Sequence, residues 1–375
     1  MSKVLIAGDF VPYNRVASLF EKGEYEKVLG ELRPITSEVD YALLNLECPV
    51  VDSEIKPIEK IGPNLKCSTK AIDAMKFAGF AGVTLANNHI KDYGECGIKD
   101  TLFGLEKSGL DSVGAGMNRA EADLTLYKMI GTDKVAFINC CENEFSISGD
   151  DSAGASHLNP IKLSYSIKEA KQQSQYVMVI VHGGHEHWQL PSPRMVETYR
   201  FFIDCGADAV INHHQHCYSG FETYHTKPIF YGLGNLCFDK GLGDFGELWH
   251  LGYMVILSLG ESVSFEIIPY SQCLKEPSLH LLPKDAFDVE LNRLNEIINS
   301  PEALQACVSN YYDRSALWAN RFLSPVTNKF LRKLQNHGLL GFFVNRKKLL
   351  EYKLVLSCES HRDRLVEYID NKLKK

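Results

Sequence analysis

The sequence has no run of apolar residues approaching the roughly 18–20 that a membrane-spanning helix needs, so a membrane anchor is not expected. Its first residues, MSKVLIAGDF, reach a glycine and an acid after a short apolar run, without the longer apolar stretch and small-residue cleavage site of a secretory leader. A cytoplasmic chain is expected, with peripheral membrane attachment left open by the charge pattern below. No Cys-x-x-Cys pair occurs among the eleven cysteines, which are odd in number and irregularly spaced. They read as reduced core-filling residues and not as a zinc or redox framework. Internal repeats and low-complexity tracts are absent, and GAGMN at 114–118 lacks the further glycines and the lysine of a nucleotide loop. No stripe of basic and aromatic residues crosses the acidic body, which excludes nucleic acid as the expected partner.

What is present is the composition of a globular protein, 45% apolar and 23% charged, in 375 residues with ample length for a core. The net charge of −7 is unevenly spread: after residue 325 there are 12 Lys and Arg against 5 Asp and Glu, leaving residues 1–325 at −14. A basic tail of this kind draws an anionic polymer, a membrane surface or a partner protein, or is simply the solvated face of ordinary helices.

Apolar runs KVLIAG (3–8), YALLNLE (41–47), GVTLAN (82–87), YVMVIVH (176–182) and ADAVIN (207–212) read as buried strands. Helical spacing separates them, at Tyr13–Leu32, after the capping pair Ser68 and Thr69 up to Gly79, and near 95–108, 166–174 and 193–205. A strand pair is expected within 122–140. This alternation predicts an α/β fold with helices covering the sheets. From about 228 the pattern turns to strands, PIFYGLGN among them, and from 284 to helices. Two units are expected, residues 1–280 and a helical basic region at 284–375.

The unusual polar residues sit where strands end, the edge at which α/β proteins gather ligand-binding groups. Asp9 ends the first strand and Glu47 the second; Asn87, Asn88 and His89 follow the third; His182 ends VIVH; His213, His214 and His216 follow ADAVIN. Carboxylates and imidazoles without cysteine suit divalent Mn, Fe, Co or Zn at a hydrolytic site. Two such ions about 3.5–4 Å apart share a hydroxide as nucleophile and hold both oxygens of a displacement. If the chain stays extended after ADAVIN, His214 and His216 point one way and His213 the other. The same period aligns His182 with Glu186 across HGGHE, unless the glycines bend the chain, and leaves His185 and His187 at the rim or in solvent. Trp188, Trp249 and Trp318 read as core, with Trp188 alone placed to meet a substrate. Asn235 in YGLGN reads as a hydrogen-bond partner near these loops.

The set GD (8–9), NLE (45–47), ANNHIKDYG (86–94), VHGGHE (181–186), NHHQH (212–216) and YGLGNLCFD (231–239) resembles the bacterial poly-γ-glutamate capsule synthesis family, of CapA type. The resemblance covers about residues 1–270. That family is in turn similar to calcineurin-like metallophosphoesterases, which implies a metallophosphatase-like αββα sandwich and a dinuclear metal centre. Carried over, Asp9 binds the first ion, Glu47 bridges, and His216 completes the first set. Asn88, His182 and His214 hold the second ion. His89 is then the acid that protonates the leaving group. Asp92 orients His89 or serves as a turn residue, and Glu186 supports a histidine or meets substrate. Val11 stands where metallophosphoesterases carry a further histidine, which implies a first ion that is weakly bound, completed by water or absent, and NHHQH in place of the usual GHHPH implies a different metal geometry.

Three functions follow from the resemblance. One is a metal-dependent hydrolase acting on an amide or ester bond of an anionic capsule polymer or its precursor. The second is a non-catalytic component of a surface-polymer assembly complex. The third is a phosphoesterase for a small or lipid-linked phosphate.

Overall fold

Ser2–Val11 is the central strand of an eight-stranded sheet in the computed structural model, which describes residues 1–240, 246–314 and 346–373. Tyr41–Leu46, Gly82–Thr84 and Asp111–Val113 extend it in parallel on one side. Leu251–Leu259, Val263–Gln272 and Leu279–Leu281 continue antiparallel on the other. The second sheet has six strands, with Ala209–His213, Tyr176–His182 and Asp133–Cys141 parallel at its centre. These central strands are apolar on both faces, as they must be when each face is covered.

Side-chain alternation along the first strand separates two cores. Val4 and Ile6, with Tyr41 and Leu43, join the residues of the second sheet, and the Tyr41 and Phe137 rings lie 5.6 Å apart across the layers. Leu5 and Ala7, with Ala42 and Leu44, pack instead against Phe20, Ile72, Met75 and Leu105 of the outer helices. Pro160–Gln173 and Pro193–Asp204 cover the second sheet with Ile167, Tyr199 and Phe202. The layers therefore run helix, sheet, sheet, helix, the expected αββα sandwich. Helices Asp288–Ile298 and Pro301–Arg314 add Leu291, Leu294, Ile298, Leu304 and Val308 to the core of the second sheet. Each such buried aliphatic side chain contributes about 1.5–3 kcal/mol. Two further helices, Arg346–Ser357 and Glu359–Leu373, end the described chain.

The structure corrects several local expectations. PIFYGLGN is not one strand: Lys227–Phe230 lies in the second sheet and Asn235–Phe238 pairs with the first strand of the other. The chain crosses between sheets at Gly234, whose φ of +82° suits glycine. The helix expected over Tyr13–Leu32 is broken at Gly23 (φ +73°) into Asn14–Glu21 and Tyr25–Leu29. Thr69 precedes its helix without a side-chain cap, and the Ser68 hydroxyl donates to Glu21 instead. The helix expected at 166–174 begins earlier, at Pro160, because Asn159 caps it. Trp318 and residues 326–345 of the basic tail lie outside the described residues.

Candidate metal centre

Asp9 sits where the ladder from the first strand to Tyr41–Leu46 slips register between Ala7 and Asp9, the kind of irregularity that re-aims a side chain beside a site. Its carboxylate accepts from Asn45 Nδ2 (2.7 Å) and from the His214 backbone N–H (3.2 Å). Glu47 follows the neighbouring strand. The third strand is shorter than expected, Gly82–Thr84: the Leu85 N–H is shared between Val113 O (2.9 Å) and Asn139 Oδ1 of the second sheet (3.1 Å), and the Ala86 N–H turns to Asn139 Oδ1 (2.7 Å). Asn87 then fixes the turn, donating to Leu46 O (2.8 Å) and accepting from the His89 N–H (3.1 Å). Asn88 and His89 are thereby presented to the cleft.

From the second sheet come the imidazoles. The strand ends at His213, so the extended pleat expected to align His214 with His216 does not exist. His214 (φ +97°) and His216 (φ +56°) instead adopt left-handed backbone, which turns both rings toward the acids. Such conformations cost on the order of 1–3 kcal/mol each and persist where the surroundings enforce them, commonly at functional sites. His213 belongs to neither donor cluster: its Nε2 reaches across to the first strand, 3.1 Å from Ala7 O. The glycines do bend HGGHEH, with Gly184 at φ +108°. His185 consequently lines the cleft as expected but is buried and not solvated, with Nε2 2.9 Å from the Tyr312 hydroxyl. His187 and Glu186 are half exposed at the rim.

Two ligand-sized clusters result: Asp9, Glu47 and His216, and Glu47, His182 and His214, each with one donor atom per residue within 4.8 Å of the others. His182 Nε2 faces Asn88 Oδ1 (3.0 Å), His214 Nδ1 (3.0 Å) and Glu47 Oε1 (3.3 Å). One ring N–H can satisfy only one of three acceptors. His216 Nδ1 lies 3.6 Å from Asp9 Oδ2 and 3.8 Å from Glu47 Oε2, with Asn235 Oδ1 at 2.9 Å on the same nitrogen. Asn235 is thus one more polar group turned to the site, placed by its register opposite Asp9. Both oxygens of Glu47 are buried without a hydrogen-bond donor. Burial, and then repulsion from Asp9 and Glu186, push its carboxyl well above the usual range. Burial holds His182 and His216 well below the ordinary imidazole value, so both are neutral and able to donate lone pairs. Orphaned carboxylate oxygens and converging nitrogen lone pairs fit a divalent cation, two when Glu47 is shared.

His89 stands beside these groups with Nδ1 2.6 Å from Asp92 Oδ2. Asp92 is fully buried and also accepts the Leu65 N–H (2.7 Å), so it both orients His89 and holds a loop. Burial lowers the His89 pKa, and the Asp92 partnership works against that fall. Sequence reasoning missed Lys60, whose buried ammonium pairs with Asp92 and lies 3.1 Å from His89 Nδ1. It sits in a long loop without periodicity, and no local signal marks it. Val11 is fully buried among apolar residues and offers nothing to an ion.

A cleft of about 290 Å³ opens onto the centre, lined by Asn88, His89, Glu186 and His214. Its far wall is Glu351, Leu354, His361 and Arg364 from the last two helices, which the sequence reading had kept apart from the site. Trp188 stacks on Tyr311 (4.3 Å between ring centroids) against the core, and Trp249 is buried, its Nε1–H donating to Phe238 O.

The chain is 32% identical over 244 residues to the capsule biosynthesis protein CapA of Bacillus anthracis, covering 63% of this chain and 59% of that one. It is 32% identical over 242 residues to the PGA biosynthesis protein CapA of Bacillus subtilis, covering 62% of each. It therefore spans about three fifths of the length of these curated relatives. Among solved structures, a phosphatase from Mycoplasma pneumoniae matches with a TM-score of 0.46 at 14% identity, over 72% of this chain and 92% of that one. A 5′-nucleotidase precursor from Thermus thermophilus matches at 0.42 and 10% identity, over 78% and 57%. Among the described residues no helix is long and apolar enough to cross a membrane. The family model described as bacterial capsule synthesis protein PGA_cap matches residues 3–240, the stretch that carries both acidic and imidazole clusters and His89, and the chain belongs to that family.

Proposed function

We propose that this chain is a metal-dependent hydrolase that cleaves an amide or ester bond in an anionic capsule polymer or its precursor. The observation that carries the reading is the shared, orphaned carboxylate of Glu47 between two donor clusters at the base of a cleft. Asp9, Glu47 and His216 would hold one divalent ion, and Glu47, Asn88, His182 and His214 the other. Ions held there lower the pKa of a ligated water and polarise the scissile group. Asp92 fixes the Nδ1 edge of His89, so proton transfer to the leaving group falls to Nε2. Lys60 neutralises Asp92 and keeps the pair from drawing the proton away. The walls contributed by the last two helices exclude water from one side of the cleft and bring Arg364 to it, a fixed cation suited to an anionic chain.

The names of the Bacillus relatives, capsule and PGA biosynthesis proteins, support poly-γ-glutamate or a comparable capsule polymer as the substrate class. Val11 favours a second reading, a weakly metallated assembly component, since the first cluster gains no ligand there. Elemental analysis of chelator-treated and reconstituted protein, beside a His214→Ala/His216→Ala variant, separates the two. About two Mn ions per chain, lost in the variant, support the hydrolase and direct screening to γ-glutamyl and phosphoester substrates. No bound Mn or Zn after reconstitution overturns it.

A further inference from the structure

One cluster of metal-ligating side chains takes no part in the centre described above. Glu144 lies just beyond the Asp133–Cys141 strand, and Cys358 and His361 stand at the start of the last helix. A carboxylate oxygen, a sulfur and a ring nitrogen from these three lie within 4.8 Å of one another. Cys358 Sγ is 3.5 Å from His361 Nδ1, a separation close to that between two ligands on one tetrahedral ion with bonds of about 2.0–2.3 Å. The thiol is buried and the Glu144 side chain only 13% exposed, so the donors are already withdrawn from water. The residue types differ from those of the dinuclear centre in the one respect that matters, the presence of sulfur, which selects zinc-class ions.

Contacts that need no ion surround the cluster. Arg194 bridges Glu142 (2.5 Å) and Asp363 (2.6 Å), the Ser360 hydroxyl donates to Glu142 (2.5 Å), and Glu359 accepts the Asn143 N–H (3.3 Å). These contacts tie the first turn of the last helix to the loop that carries Glu144. They also occupy the neighbouring carboxylate: Glu142 Oε2 lies 3.9 Å from Cys358 Sγ, yet it already accepts from Ser360 and from the Gly184 N–H (3.3 Å). Glu144 and His361 both line the cleft, and Glu144 Oε1 stands 3.9 Å from His214 Nε2. An ion with three protein ligands has a fourth position to fill, and the cleft is the open side.

We propose that Glu144, Cys358 and His361 form a separate mononuclear site for a zinc-class divalent ion, which fastens the C-terminal helix into the wall of the cleft. Thiolate and carboxylate together balance the charge of the ion, and the Cys358 proton is released to solvent on binding. The site stands apart from the hydrolase reading, because it requires no turnover.

The test is titration of the full, chelator-stripped chain with Co(II) alone, followed by absorption. A thiolate-to-cobalt charge-transfer band in the near ultraviolet is expected. It should be lost in Cys358→Ser and retained in Glu47→Gln, since the dinuclear cluster holds only oxygen and nitrogen donors. Cobalt d–d bands without the thiolate band, or a thiolate band unchanged in Cys358→Ser, overturn the proposal. A second measurement needs no variant: in the unaltered chain, added Zn(II) should slow alkylation of the Cys358 peptide, read by mass spectrometry against chelated protein. Equal rates overturn the proposal as well.

Discussion

Replacing Glu47 by glutamine tests the centre through stability, without a substrate. The Glu47 side chain is fully buried and both oxygens lack a donor, so its ionised form is an uncompensated charge. Such a charge costs about 3–5 kcal/mol. An ion present at about 100 times its dissociation constant returns about 2.7 kcal/mol to the folded state. At roughly 2 °C per kcal/mol for a chain of this size, the metal-free protein should gain about 5 °C in Tm when Mn is added. Glutamine keeps the shape and removes the charge. Metal-free Glu47→Gln should therefore melt at or above metal-free wild type at pH 8 and gain nothing from Mn. The sign with pH follows from the raised carboxyl. Its contribution is intact below the unfolded value near 4.5 and is lost as pH rises through the folded value, so the gap between variant and parent widens upward from there. A Glu47→Gln protein that keeps the full metal-induced shift, or one less stable than metal-free wild type at pH 8, refutes the assignment of Glu47 as a shared ligand.

Other outcomes follow from the same structure. His89→Ala should retain bound metal while losing roughly 10²–10⁴ in turnover of whichever γ-glutamyl or phosphoester substrate the loaded chain cleaves, and unchanged turnover removes its role as acid. Lys60→Met leaves Asp92 buried without its cation, and urea unfolding should report a loss of about 3–5 kcal/mol. Gly8→Ala should destabilise by about 3 kcal/mol or prevent folding, because a Cβ there would lie 2.0 Å from Gly234 O where the chain crosses between sheets. Burial holds the His185 pKa well below its ordinary value, so the unfolded chain binds the proton first and stability falls as pH drops below about 6.5. His185→Phe should flatten that fall by up to about 1.4 kcal/mol per pH unit in denaturant titrations between pH 5 and 7.

The legible parts of this protein were those with local signals. An apolar run that stops at an acid or a histidine marks both a buried strand and its functional end: His182 ends its strand and Glu47 and His214 follow theirs within a residue, whereas Asp9 sits at an irregularity inside a strand that runs on to Val11. Period alone does not say to which sheet a run belongs, and PIFYGLGN was read as one strand although it serves two. Nor does period fix backbone sign: His214 and His216 reach the centre through left-handed φ, not through the pleat. Lys60 and Cys358 were invisible for a different reason. Their partners Asp92 and Glu144 are brought to them by tertiary packing, the latter from more than 200 residues away in sequence. The cysteines were read as core filler, and nine of eleven are indeed buried, but burial beside His361 and Glu144 is a different environment from burial among aliphatic side chains.

Asp9, Glu47 and Asn88 are delivered by the first sheet, whereas His182, His214 and His216 are delivered by the second. Neither layer holds a complete ligand set, so if the centre takes up an ion as proposed, tight capture during refolding would have to wait until the two have docked. The centre is then a clock on assembly: a chelating dye competing for metal would record the moment of docking, later than the signal of either sheet alone. A chain refolded without the ion would lack that latch, and Asp9 and Glu47, both on the first sheet, would be left side by side with their repulsion unrelieved.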